Sequence, residues 1–296
     1  MRDSKFSGVL STITVALIWG GSFVAAKIAL ETLSPLLLAT VRFVIASILF
    51  TPLILRDMRR ERIDVGRDLP KLLLLGLLGI TLYFWLQYTG VKYAGAGISA
   101  LIVVGFIPVM TGIVSSIILK EPFTKVRLAG VLLGFSGVAL IVMQRVHLEV
   151  KGALFLLGAG SLLMNAVCWA IYSTLSREFL LNERLSPSSL TAYVTILGTL
   201  ALIPLSATSD WLAITHLSLT QWLSILYLSV FCSWISYFLW NYALSRIEAV
   251  KAATWLYLEP VVAIIGSALL INEVPTIQTI IGGMIIITGA YITTKF

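Results

Sequence analysis

One phrase occurs twice in this chain. IPVMTGIVSSIILKEPFTKVRLAGVLLGFSG begins at Ile107, and EPVVAIIGSALLINEVPTIQTIIGGMIIITG begins at Glu259. Pro108 aligns with Pro260, Glu121 with Glu273, Gly130 with Gly282 and Gly137 with Gly289, each pair 152 positions apart in a chain of 296. Both copies are strongly apolar, which places the duplication in a bilayer. A duplicated unit with an odd number of spans has its halves in opposite orientations. Matched helix interruptions in two such halves point to a site near the midplane.

Composition excludes the soluble alternative. Charged residues make up 12% of the chain and hydrophobic ones 58%, against about 25% charged in a typical soluble domain. A span needs about 20 apolar residues. The apolar runs fall at 8–30, 35–55, 70–91, 95–119, 125–144, 152–175, 188–206, 220–244, 249–271 and 275–294. Helices satisfy their own backbone hydrogen bonds in lipid, and these runs lack the polar–apolar alternation of barrel strands. The expected fold is therefore an all-α integral membrane protein of ten transmembrane helices, built as two inverted five-helix repeats around a central cavity. The repeats divide as residues 1–145 and 146–296. The basic N-terminus and first run read as an uncleaved span rather than a signal peptide, because nine more runs follow.

Orientation follows from Lys and Arg. With a cytoplasmic N-terminus, the inner segments hold sixteen of the 21, among them Arg56, Arg67, Lys71, Lys120, Lys125, Arg127, Arg177, Arg246 and Lys251. The outer segments hold four, Lys27, Lys92, Arg145 and Lys151, and Arg42 lies within a span. Such a bias predicts both termini in the cytoplasm, in a multi-pass plasma-membrane protein. The net charge of +7 is explained by these loops, so no nucleic-acid partner is expected. Cys168 and Cys232 lie in apolar runs without metal-type spacing and read as core residues.

The pattern resembles the EamA-type ten-helix exporters of the drug/metabolite transporter superfamily, over essentially the whole chain. The residues that carry the likeness are Trp19-Gly20-Gly21-Ser22-Phe23, Arg42-Phe43, the run from Pro108 to Glu121, and Tyr257-Leu258-Glu259-Pro260-Val261-Val262. The resemblance implies a cavity lined by spans one, three, four, six, eight and nine, with five and ten at the periphery. It implies movement of amino acids or other small metabolites without ATP, and export is carried by the resemblance alone. One departure is Lys120-Glu121 and Asn272-Glu273, where many members have Gly-Glu. These glutamates accordingly read as loop and helix-end residues.

Polar chemistry gathers at one depth. Proline removes a helical donor and clashes with the carbonyl four residues back. Gly105 and Pro108 in span four, and Pro260 in span nine, are candidate helix breaks that free the carbonyls of Val104 and Leu256. Glu259 is the one carboxylate deep in the bilayer, on the order of 18 Å from the outer end of its span at 1.5 Å per residue. Intramembrane acids are paired, protonated or functional, and desolvation favours their neutral form. Two readings stay open together: Glu259 as a proton-coupling group, and Glu259 ion-paired to Arg42. Ser22 belongs to the span-one motif. Trp19 and Trp169 sit mid-span 150 positions apart and correspond across the repeat with a two-residue gap. Asn165 and Tyr172 share a helix face with Trp169. Tyr83 and Gln87 in span three, Tyr237 and Asn241 in span eight, and Trp255 in span nine complete the candidate lining. Glu259 corresponds to Ile107 and Arg42 to Ala192 or a near neighbour, so the charges are exceptions to the repeat.

An aromatic lining with a few hydrogen-bonding groups suits a neutral or zwitterionic small solute with an apolar portion. One deep cation argues against a polyanion. The expected partners are that solute, the lipid bilayer and protons, with no cofactor and no metal. The reading is an exporter working by alternating access, with an uptake carrier or exchanger of the same fold as the alternative. An enzyme would need a deep nucleophile–base pair, a carboxylate dyad or metal ligands. His147 and His216 instead lie in expected outer loops. A channel would need a polar filter or charge rings. Gly130, Gly134 and Gly137 form a small-residue face, repeated less regularly at Gly282, Gly283 and Gly289. It serves either close packing within the chain or a dimer contact.

Overall fold

The computed structural model describes residues 2–58, 65–143, 152–182, 185–262 and 277–295. Glu273, His147, Arg145, Lys151 and the end of expected span nine lie outside them. The described residues are helical from end to end, with short connections. Seven of the helical segments, such as Pro35–Arg56 and Gly152–Leu181, are long and apolar enough to cross a bilayer. Ile48, Ile117, Leu156 and Ile277 face outward, while Thr40, Ser173 and Ser229 are buried and hydrogen-bonded. That distribution suits lipid, where small polar residues bond inside the bundle and aliphatic ones meet the acyl chains.

Local chemistry sets the helix ends. Helix α1 (Arg2–Trp19) stops at Gly20-Gly21, and α2 (Ser22–Ala29) resumes. Glycine is a poor helix former, but closeness is what requires it here. A Cβ on Gly20 would sit 3.1 Å from the Glu259 carbonyl oxygen, and one on Gly21 3.0 Å from the Tyr227 hydroxyl. Tyr227 donates to the carbonyl of Ile18 and so satisfies an acceptor at the break. Helix α3 (Pro35–Met58) opens on a proline, and the Leu37 N–H donates to Ser34 at 3.3 Å.

Expected span three is α4 (Val65–Gly76), a π-helical turn at Leu77–Leu82, and α5 (Tyr83–Ala94). Helices α6 (Ala96–Ile118), α7 (Lys125–Met143), α8 (Gly152–Leu181) and α9 (Pro187–Leu205) follow. Expected span eight is α10 (Leu219–Leu226), a second π-helical segment at Tyr227–Ile235, and α11 (Ser236–Leu244). Leu77 plus the repeat interval is Ser229, so the two wide turns occupy matching places in the two halves. Next come α12 (Ala249–Thr254) and a 3₁₀ turn at Trp255–Tyr257, and helix α13 (Ile277–Lys295) closes the chain.

The structure corrects the expected pair of breaks. Helix α6 runs through Gly105 and Pro108 without interruption, whereas the turn before Pro260 tightens to 3₁₀. Proline's fixed φ is helical, so only one donor is lost, and neighbours in a bundle can compensate. The Tyr257 hydroxyl lies 3.3 Å from the Gly105 carbonyl, next in sequence to the Val104 carbonyl that Pro108 leaves without its helical donor. The irregular backbone instead falls in span one at Gly20-Gly21, in the two π turns and ahead of Pro260.

The glycine face packs within the chain. A Cβ on Gly130 would meet the Gly289 carbonyl at 2.9 Å, and one on Gly137 the Gly282 carbonyl at 2.7 Å. Position rises along α7 as it falls along α13, so the helices are antiparallel. The same four glycines are the ones paired by the sequence repeat, with partners exchanged. This is the contact pattern of a local two-fold axis running across both helices. Ser47 and Thr199, also 152 residues apart, hydrogen-bond at 2.9 Å.

Candidate functional site

A cavity of about 30 Å³ lies between α1, α2, α3, α5, α6, α8, α11 and the 3₁₀ turn. That is room for about two waters, so the space is narrow. Its walls carry Trp19, Ser22, Arg42, Tyr83, Gln87, Val104, Trp169, Tyr237 and Glu259, all expected lining or coupling residues. Two repeat-related pairs face it together, Ile107 with Glu259 and Val104 with Leu256.

An aromatic cluster forms one side. Trp19 and Trp169 meet edge to face at 5.3 Å between centroids, and Tyr83 lies 4.8 Å from Trp169. Each such contact contributes about 1 kcal/mol beyond area burial. The Trp19 indole donates to the Cys232 carbonyl at 3.0 Å, and Tyr237 donates to the Gly79 carbonyl, inside the π turn, at 2.8 Å. The Trp169 indole N–H and the Gln87 side-chain carbonyl are buried and have no hydrogen-bond partner among the described residues. Both residues line the cavity. A donor and an acceptor left open there are what a polar solute would fill.

Arg42 is 2% exposed. Its Nε donates to Ser233 and its Nη1 to Tyr88, both at 2.6 Å, and its guanidinium lies 4.3 Å from the centre of the Phe84 ring. The expected ion pair with Glu259 is absent: among the described residues no carboxylate lies within 4.0 Å of Arg42. Glu259 is 6% exposed and makes no side-chain hydrogen bond or ion pair among them. The guanidinium and the carboxyl group thus border one cavity without touching.

Four expected lining residues, Asn165, Tyr172, Asn241 and Trp255, are not among those that border the cavity. Asn165 donates to the Tyr83 carbonyl at 2.7 Å, and Asn241 donates to Tyr172 and to Thr191, both at 2.9 Å. These side chains tie helix to helix. A shared face with Trp169 does not put Asn165 at the same depth, because four residues along a helix is about 6 Å of rise. Trp255 lies in the 3₁₀ turn, and its indole N–H has no partner among the described residues. The lining also includes Phe23, Phe84, Val103, Ile107 and Leu256, which polarity did not flag. Helical spacing from Trp19 to Phe23 and from Val103 to Ile107 was the available signal.

Glu121 is no mere helix-end residue. It accepts from the Arg177 Nε and, at 3.1 Å, from the Ala249 N–H, while Arg177 also donates to the Leu244 carbonyl at 2.6 Å. Arg127 pairs with Glu248 at 2.5 Å alongside. One buried carboxylate thereby joins the end of α6 to α8, α11 and α12.

Comparison with known proteins now decides the family. The model of the EamA-like transporter family matches twice, over residues 6–143 and 156–295. The chain belongs to this family. An uncharacterized transporter of Archaeoglobus fulgidus is 34% identical to this EamA-like chain over 280 residues, covering 94% of each. A protein of Streptantibioticus cattleyicolor named "Probable terminal-alkyne amino-acid exporter" is 28% identical over 303 residues, covering 100% of this chain and 95% of its own. A solved crystal structure superposes with a TM-score of 0.79 at 20% identity, covering 97% and 96% of the two chains. That likeness concerns the fold. The EamA-like chain is accordingly an integral membrane transporter that handles a small molecule.

Proposed function

We propose that this protein is a proton-coupled secondary exporter of amino acids or similar small zwitterionic or neutral metabolites. It works by alternating access between two inverted five-span repeats, residues 1–145 and 146–296. The observation that carries the reading is the cavity itself: a narrow aromatic chamber with an unpaired carboxylate at Glu259 and open hydrogen-bonding groups at Gln87 and Trp169. An apolar chamber with a few convergent polar groups is the usual form of a small-solute site. The exchanged glycine pairs support the inverted repeat, and the relative named as an amino-acid exporter supports the solute class.

The charge bias orients the molecule in the plasma membrane with cytoplasmic termini. On that orientation the Glu121–Arg177 cluster closes the cytoplasmic end, and opening inward requires breaking it. Glu259 takes up a proton in one conformation and releases it in the other, which couples export to the proton gradient.

Uptake into inside-out vesicles with and without a pH gradient tests this. Wild-type protein is expected to accumulate a transported amino acid more when the vesicle interior is acidic. Accumulation indifferent to the gradient would remove the coupling; single-channel currents or chemical conversion of the solute would remove the carrier reading.

A further inference from the structure

We propose that Arg42 recognises a carboxylate on the transported solute, an assignment that rests on the cavity being the solute site. A guanidinium has five N–H donors in a rigid planar fork. Here Ser233 takes Nε and Tyr88 takes one proton of Nη1. Phe84 and Phe43 lie against the group at 4.3 and 5.1 Å from their ring centres. All four neighbours fix the position of the fork, and none supplies a negative charge. Among the described residues Nη2 has no hydrogen-bond partner, and no ion pair reaches the group.

An uncompensated cation this deep in a bilayer protein is costly. The chain has a carboxylate on the same cavity, yet Glu259 and Arg42 are held apart. The missing counter-charge is therefore one that enters and leaves with the solute. The open edge of a guanidinium matches a planar carboxylate with two parallel hydrogen bonds. With one cation and aromatic walls, the chamber fits a single carboxylate better than a polyanion. Ser233 and Tyr88 are positioning residues: they orient the fork so that its remaining edge is left for the solute.

The test is counterflow competition in proteoliposomes with four probes that share the leucine side chain: leucine, leucinamide, isoamylamine and 4-methylpentanoate. The wild type is expected to prefer leucine over leucinamide by about tenfold or more, since the amide removes the charge that the fork would grip. Arg42→Gln should bring that ratio near one, and Arg42→Lys should restore part of it. Ser233→Ala, which leaves the charge in place, should lower the ratio by a smaller factor and serves if Arg42→Gln does not fold. Equal competition by acid and amide in the wild type overturns the proposal, as does an unchanged ratio in Arg42→Gln or, should that variant not fold, in Arg42→Lys and Ser233→Ala. Saturable movement of the amine or amide alone overturns the Arg42 assignment and leaves the carrier reading standing. Saturable movement of none of the four overturns both.

Discussion

The hydroxyl of Tyr257 lies 3.3 Å from the carbonyl of Gly105, the residue 152 positions before it. The sequence repeat makes these two positions equivalent. The hydroxyl also reaches the Val131 carbonyl at 3.0 Å, so span nine is tied to both span four and span five. Tyr257→Phe is expected to lower stability by about 1 kcal/mol, the usual net worth of one hydrogen bond. Unfolding of purified protein in detergent would measure it.

Glu259 governs the response to protons on the proposed mechanism. Glu259→Gln keeps the shape and removes the titratable group. Its transport should become independent of an imposed pH gradient, while counterflow without a gradient persists. A gradient response equal to that of the wild type would sink the coupling role.

Glu121 and Arg177 are expected to act as one unit. Removing either leaves a buried charge without its partner and should cost about 3 kcal/mol of stability. The double variant should be less damaged than the two single losses added together, a coupling that a double-mutant cycle reads directly. On the proposed orientation, Glu121→Gln should also raise labelling of a cysteine introduced at Ser22 by a reagent applied from the cytoplasmic side. Labelling unchanged from the parent would remove this pair as a cytoplasmic closure.

Glycines offer a contrast in one experiment. Gly289→Ala would place its Cβ 2.5 Å from the Gly134 backbone nitrogen, whereas nothing lies within 4 Å of a Cβ on Gly160. The first should destabilise by about 1–3 kcal/mol through overpacking. The second should be neutral or gain up to about 1 kcal/mol from helix propensity. Thermal unfolding of both variants, with similar losses in each, would contradict the seam.

Hydropathy made the helices legible, because lipid permits little else with these apolar runs. Spacing marked Trp19, Trp169 and Tyr83 as lining, because large aromatics at mid-span have few other places to go. Depth along a helix was harder to read. Asn165 shares a face with Trp169 but binds the Tyr83 backbone instead of the cavity. Polarity selected the asparagines and passed over Phe84 and Val103, since a cavity wall this apolar resembles core packing in sequence. Pro108 signalled a break that α6 does not make. The π turns in spans three and eight left no residue-type signal, because widening one turn depends on neighbours such as Tyr237 reaching the Gly79 carbonyl.

The seam between α7 and α13 has a mechanical consequence. Most helix contacts consist of side chains, which can change rotamer and let one helix slide over the next. Here main chain meets main chain, with glycines facing carbonyls on both sides. Such a surface has almost no rotamers to rearrange, so sliding means losing the contact altogether. The seam between α7 and α13 is thus a stiff edge that either keeps its register or parts as a whole.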